Sequence, residues 1–521
     1  MALTDTRPDT GTDPSVAPSV VPSPLTIFGT GDHKAIGIAY VLAGAVFGVA
    51  GLIAAALASL HEIGSRSFLS AAVGDQLSQV SAIGLILLVI VPMFLGLGTY
   101  LVPLQVGAST VAFPRAAAAA MWTWLLSSGV FIVSICIDGG FDGGREKSVS
   151  LTLLALGGLI VALLLGTVCV LTTAITLRTP GMTLDRVPMF TFSMLVGGSI
   201  WLLTLPVMLA NLLLIWSDHR YGGAQTFASI GVQFGQVGWI AREPQVYAFL
   251  VPGLGIVADV VATLTGARLA HRNVLLVAVG AFGVLSVGAW AQPAIYPSFD
   301  EDFLWQAMGI VMLVPLLLLL GGIATALRSG KPSLKSPLGL AVVSVVLTAL
   351  AVVAGALLVI TPLELRSTSM FANGQYGLVV AAALAAVAAG LGYWGPKMTG
   401  GQSADGLGKL NVLVLLGGGV LGGVSLCVVG FATRFSGLSG SHDTLLVVSA
   451  IGAVLLALGI VIAILGLASG TRKGAPEAGD DPWGSGQTLE WACPSPPPTG
   501  NFGDLAVVRS PEPLLDEEAS A

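Results

Sequence analysis

The residues best suited to hold a metal in this sequence are its five histidines, His33, His61, His219, His271 and His442. A neutral imidazole ligates iron or copper without carrying a charge into a low-dielectric site. Their spacing argues against a shared centre. No two stand at the i, i+4 interval that puts both rings on one helix face, and long apolar runs separate them. The cysteines, Cys136, Cys169, Cys427 and Cys493, form no CxxC and no close pair, so neither a thiolate metal site nor a disulfide framework is suggested. Cys136 and Cys169 are expected to be buried and inert. Met93, Met194 and Met208 could in principle ligate a metal, but scattered methionines in an apolar chain read as core filler.

The elements that must position these groups are membrane spans. Of 521 residues, 55% are hydrophobic and 10% are charged, against about 25% charged in an average soluble protein. That supply cannot cover the surface of several soluble domains. With a net charge of −6, nucleic acid is excluded as a partner, and the lipid bilayer is the expected surrounding. Runs of about 20 apolar residues fall near 35–60, 77–105, 117–137, 149–176, 188–216, 246–269, 273–293, 304–328, 337–361, 375–396, 411–433 and 444–469. They predict an all-α integral membrane protein, a bundle of twelve transmembrane helices. Such runs are too long and too uncharged for a β-barrel.

Most of the 22 Lys and Arg residues fall in segments on the side of the termini. The positive-inside rule therefore puts both termini in the cytoplasm and the chain in the plasma membrane. Residues 1–30 lack the apolar core of a cleavable signal and read as a disordered cytoplasmic tail. The membrane domain takes up 31–470, and 471–521 reads as a second disordered tail, Pro-rich and acidic. Arg242, Glu243, Gln292 and Arg366 then gather near the outer ends of the sixth, seventh and tenth spans. An ion-pair or hydrogen-bond network is expected there, with a direct Glu243–Arg366 contact as its simplest form.

Six strings, in register, resemble subunit I of cytochrome c oxidase, of the haem-copper oxidase superfamily. They are GDHKAIGIAY (31–40), YLVPLQVGASTVAFPR (100–115), PGMTLDRVPMFTFSMLV (180–196), EPQVYAFLVPGLGIVAD (243–259), YWGPKMTG (393–400) and TLEWACPSPPPTGNF (488–502). The resemblance covers roughly residues 30 to 510. It implies a twelve-helix bundle that reduces oxygen with electrons from cytochrome c and pumps protons. It also implies a low-spin haem, a high-spin haem and a copper held by six histidines, together with partner subunits of an aerobic respiratory complex.

Carried across residue by residue, that ligand set is absent. The low-spin haem ligand of the second helix falls on Ser81 (or on Val80 in a shifted register). The two haem ligands of the tenth helix fall on Gly374 and Tyr376, and the copper histidines fall on Glu243, Gln292 and Pro293. Proton-route positions fall on Thr110, Gln245 and Leu319, and the magnesium-holding segment reads Arg366-Ser367-Thr368-Ser369. Asp259 stands where the family has a glutamate, and Arg434 matches one propionate-binding arginine while its partner position is Thr433.

Tyr247 matches the family's active-site tyrosine, with Glu243 four residues before it. The pair could ligate a metal, or Tyr247 could simply pack and hydrogen-bond to Glu243 or to a neighbouring helix; two oxygen ligands suit copper poorly. No haem, copper or other cofactor is expected, and the chain reads as a pseudo-enzyme with a structural or assembly role. The alternatives are an active terminal oxidase with unusual ligation and a lipid- or quinone-binding protein. An unfilled void costs about 24 cal/mol per Å³, so the old chamber is expected to be repacked, with Val80, Leu319 and the LLLLL run 316–320 filling it.

Overall fold

The computed structural model describes residues 30–63, 69–141, 145–221, 233–269, 271–291, 301–435, 442–503, 505 and 507–520. The expected tail 1–30 lies almost wholly outside them, as do Gln292 and Pro293. Among the described residues, eleven helices are long and apolar enough to cross a membrane. They are α1 (His33–His61), α2 (Val73–Val106), α3 (Pro114–Cys136), α4 (Glu146–Thr176), α5 (Met189–Tyr221), α7 (Arg272–Ala291), α8 (Phe303–Ser329), α9 (Ser336–Leu358), α10 (Ser369–Thr399), α11 (Asp405–Arg434) and α12 (Asp443–Ser469). Between α5 and α7 lies a shorter apolar helix, α6 (Val251–Thr265). Among the described residues the only β pairing is an isolated bridge, Gly401 with Glu477.

The span expected over 246–269 is therefore corrected. Its first residues wind as a 3-10 turn, Gln245–Phe249, and only Val251–Thr265 is α-helical. The change falls just before Pro252, where a proline is tolerated only in the first turn of a helix. The span expected over 304–328 is present as α8, with an irregular turn at Met312 between Glu301–Val311 and Leu313–Ser329 across which the helical hydrogen bonds continue.

The helices deepest in the bundle are α2 and α10, with 83% and 89% of their most apolar stretch buried. α10 packs on α9, α11, α12 and α6, and α1 packs on α2 and α12. Small residues make these approaches close: a Cβ on Gly37 would stand 2.6 Å from the Gly96 carbonyl, so α1 and α2 touch backbone to backbone, as helices in lipid do where side chains are small. Met93, Met194 and Met208 are buried core residues.

Other expectations change. Cys136 is exposed on the outside of α3 rather than buried, whereas Cys169 is buried. In the LLLLL run Leu316 and Leu319 face the core, but Leu317 and Leu318 are exposed, because helical periodicity turns only part of a continuous apolar run inward.

The C-terminal segment is not a disordered tail. Residues 471–503 fold across one end of the bundle, with Leu489, Glu490, Trp491 and Cys493 buried. Lys397 Nζ donates to the Asp480 carbonyl at 2.9 Å and to the Cys493 carbonyl, and its ammonium lies over the Trp491 ring. Lys34 Nζ donates to Pro498 O and Asn501 Oδ1, and Asn501 Nδ2 donates to Ala108 O. The first, second, fifth and sixth of the family-like strings thus meet at this end. Burial pushes the Cys493 thiol up, so it stays a neutral thiol.

Candidate functional site

Ser81 lies in the first part of α2, and its hydroxyl is spent within the helix on Ser78 O at 3.0 Å. Across from it, Tyr376 Oη donates to the Ala82 carbonyl at 2.7 Å. α10 is therefore tied to α2 directly, from the position of one axial ligand to the neighbour of the other. Immediately after this contact α2 widens into a π-helical segment, Leu85–Ile90, and α11 does the same over Val420–Val424. Both segments border a cavity of about 130 Å³ that Ser81, Ala82, Tyr376, Gly422 and Gly423 help to line. Tyr376→Phe removes the direct tie and is expected to cost about 1 kcal/mol, the net value of one hydrogen bond, read as a small fall in the thermal midpoint of the solubilised protein with the fold intact.

The other α10 position, Gly374, has no room for any side chain. A Cβ there would stand 2.5 Å from the backbone nitrogen of Cys427, 2.6 Å from the carbonyl oxygen of Gly423 and 2.7 Å from Cys427 Sγ. The backbone of α11 occupies the place that a ligand side chain at position 374 would need. Glycine at 374 is what permits the approach.

Glu243 and Tyr247 come from the turn preceding α6, both buried. Tyr247 Oη donates to the Ala351 carbonyl on α9 at 3.1 Å, and its ring meets Phe282 edge-on at 5.9 Å. Both carboxylate oxygens of Glu243 are buried without a hydrogen-bond partner. The expected direct bond between Glu243 and Arg366 is therefore not made, although the structure brings Arg242, Glu243 and Arg366 to the wall of one cavity of about 550 Å³. The Arg366 guanidinium instead lies over the Trp305 ring, 4.2 Å from its centroid. Gln292, the fourth member of the expected network, lies outside the described residues.

The proton-route positions have structural partners. Gln245 Nε2 donates to Thr204 Oγ1 and its Oε1 accepts from Gly288 N, tying α5 to α7. Leu319 packs in the core. Asp259 accepts from the backbone nitrogens of Met189 and Phe190, at 3.0 and 2.9 Å, so it caps the start of α5, where free N–H groups need an acceptor. Arg434 pairs with Glu364. The histidines sit at or beside helix ends: His33 and His61 bound α1, His219 lies in the last turn of α5, and His271 and His442 precede α7 and α12.

Sequence reasoning missed four side chains. Gln105 donates to both Asp259 and Glu490, bridging two buried carboxyls. Trp239, Trp305 and Gln375 carry buried N–H groups with no acceptor in the outer cavity. Gln105 alone carried a signal, since a lone amide amid apolar residues needs partners.

With this geometry in view, the comparisons with known proteins place the chain. The sequence profile of the family described as cytochrome c and quinol oxidase polypeptide I matches residues 35–469, and the chain belongs to that family. It is 28% identical over 513 residues to a probable cytochrome c oxidase subunit 1-beta of Nocardia farcinica, covering 94% of this chain and 87% of the relative. A probable subunit 1-alpha of Streptomyces avermitilis is 28% identical (94% and 88% covered), and a cytochrome c oxidase subunit 1 of Corynebacterium efficiens is 27% identical (94% and 88% covered). It is thus a cytochrome c oxidase subunit I-like, multi-span membrane protein.

The haems and copper that the family implies do not fit the residues present. A haem iron needs an axial side chain, yet Gly374 offers none and has backbone in its place, Ser81 offers a hydroxyl already used, and the phenol of Tyr376 is committed to Ala82. The cavity between α2 and α10, about 130 Å³, is well under the roughly 300 Å³ at which small-molecule pockets begin. At the copper position the described donors are one carboxylate and one phenol, without an imidazole.

Proposed function

We propose that this chain is a non-catalytic member of its family, serving as a structural or assembly subunit of a respiratory membrane complex in the plasma membrane. The observation that carries the reading is the approach of α11 to Gly374, which leaves no volume for a ligand side chain on α10. The Tyr376–Ala82 bond supports it, because it holds α10 to α2 without an iron between them. In this reading the bundle has twelve crossings, the sixth made by Gln245–Phe249 together with α6. Both termini face the cytoplasm, where the positive-inside rule puts the end of the bundle carrying Lys34, Arg186, Arg268 and Lys397. The packed C-terminal segment adds a folded face at that end against which another subunit can dock.

An absorption spectrum with pyridine haemochrome and metal analysis on the purified chain tests this. The expected result is haem and copper far below one per chain, with other respiratory subunits co-purifying. Stoichiometric haem with oxygen uptake would instead establish an oxidase with unusual ligation.

A further inference from the structure

The cavity of about 550 Å³ at the end of the bundle opposite the folded tail has a wall whose polar groups lack partners. Glu243, Gln375, Trp239 and Trp305 are 3%, 1%, 4% and 8% exposed. Both oxygens of Glu243, Nε2 of Gln375 and Nε1 of each tryptophan make no hydrogen bond of good geometry, although the Tyr247 hydroxyl lies close to Glu243 and Gln375. Buried polar groups are normally paired, and each orphan calls for an explanation. Four buried side chains orphaned on one cavity wall are the signature of a site whose missing partner is a ligand.

The orphans state what that ligand must carry. Glu243 needs a donor, and a cationic one would hold its carboxylate ionised against the cost of burial. The indole and amide N–H groups need acceptors, and Arg242 and Arg366 on the same wall favour acceptors that are anionic. Glu364, on the rim, is already paired with Arg434. A simple anion would leave Glu243 unsatisfied, and a simple cation would meet two guanidiniums. A molecule with an ammonium and an oxyanion a few ångströms apart satisfies both. The cavity lies where α9 ends at Leu358 and α10 begins at Ser369, which is the depth at which lipid headgroups sit beside spanning helices.

We propose that this cavity binds a phosphoamine group, with the ammonium on Glu243 and the phosphate facing Arg242, Arg366 and the Trp239, Trp305 and Gln375 N–H groups. An aminophospholipid headgroup presents that group at this depth, and free phosphoethanolamine presents the same group from water. The site is distinct from the structural role proposed above, and its readout does not depend on haem content.

The test is native mass spectrometry of the full chain with phosphatidylethanolamine, phosphatidylcholine, phosphatidylglycerol or free phosphoethanolamine. Phosphatidylethanolamine is expected to be retained about tenfold over the other two lipids, because a quaternary ammonium has no N–H and a glycerol has no charge. Glu243→Gln is expected to erase that preference while phosphatidylglycerol binding persists. Trp305→Phe, which keeps the ring under Arg366, is expected to weaken phosphatidylethanolamine and phosphatidylglycerol alike. If free phosphoethanolamine competes at equal concentration, the source is soluble; if it does not, the source is the lipid. Equal retention of all three lipids, or a preference unchanged in Glu243→Gln, overturns the proposal.

Discussion

Gly374→Ala is expected to destabilise the protein by about 3 kcal/mol, at the upper end of the usual cost of overpacking, and Gly374→His is expected to prevent accumulation in the membrane. The new Cβ meets the Cys427 nitrogen and the Gly423 oxygen at 2.5 and 2.6 Å, and both atoms belong to the backbone of α11. A flexible side chain can swing away, but a helix backbone in a close-packed bundle must translate as a body. Cys427→Ala would remove only the sulfur contact and is expected not to rescue the variant. The measurement is membrane yield together with the thermal midpoint in detergent, alongside Tyr376→Phe as the mild comparison. If Gly374→Ala matched the parent in both, α11 would be free to withdraw. The chamber could then open, and the central argument against a haem on α10 would fail.

The spans were legible because twenty apolar residues have one stable solution in lipid, with every backbone group bonded within the helix. The family strings were legible because they hold the ends of those helices together, as Lys34, Ala108 and Asn501 do. The loss of ligands at Ser81, Gly374 and Tyr376 could be read by position alone. What took their place could not. Nothing local in NGQYG says that Gly374 receives the α11 backbone, because that contact joins positions more than forty residues apart. Position also pointed to an ion pair between Glu243 and Arg366, yet the arginine stacks on Trp305, a choice set by where α8 happens to pass. The misreading of 471–521 has a different cause. Composition averages over a segment, and a few buried residues (Glu490, Trp491 and Asn501) can anchor a stretch that is otherwise Pro-rich and polar.

Those anchors carry the second large effect. Glu490 is fully buried and accepts from Gln105 Nε2 at 3.0 Å and from Trp394 Nε1 at 3.2 Å. Glu490→Leu would strand the indole N–H in the core. It would also leave Gln105 Nε2 only its longer contact to Asp259, at 3.3 Å. At about 1–3 kcal/mol for each stranded donor, the segment is expected to lose about 3 kcal/mol of its hold on the bundle. The spans themselves bury separate surface and should persist, so the loss should appear as local release of the tail. Digestion with a nonspecific protease is expected to remove residues beyond about 470 from Glu490→Leu within a time that leaves the parent intact. Glu490→Gln keeps a carbonyl oxygen for the same two donors and puts its NH2 where the unpartnered Oε2 of the parent stands, so it should digest like the parent. Lys397→Met, which strands the Asp480 and Cys493 carbonyls, should behave like Glu490→Leu. A tail equally resistant in all four proteins would mean that these buried contacts do not hold it. The docking face assigned to that end of the bundle would then lose its basis.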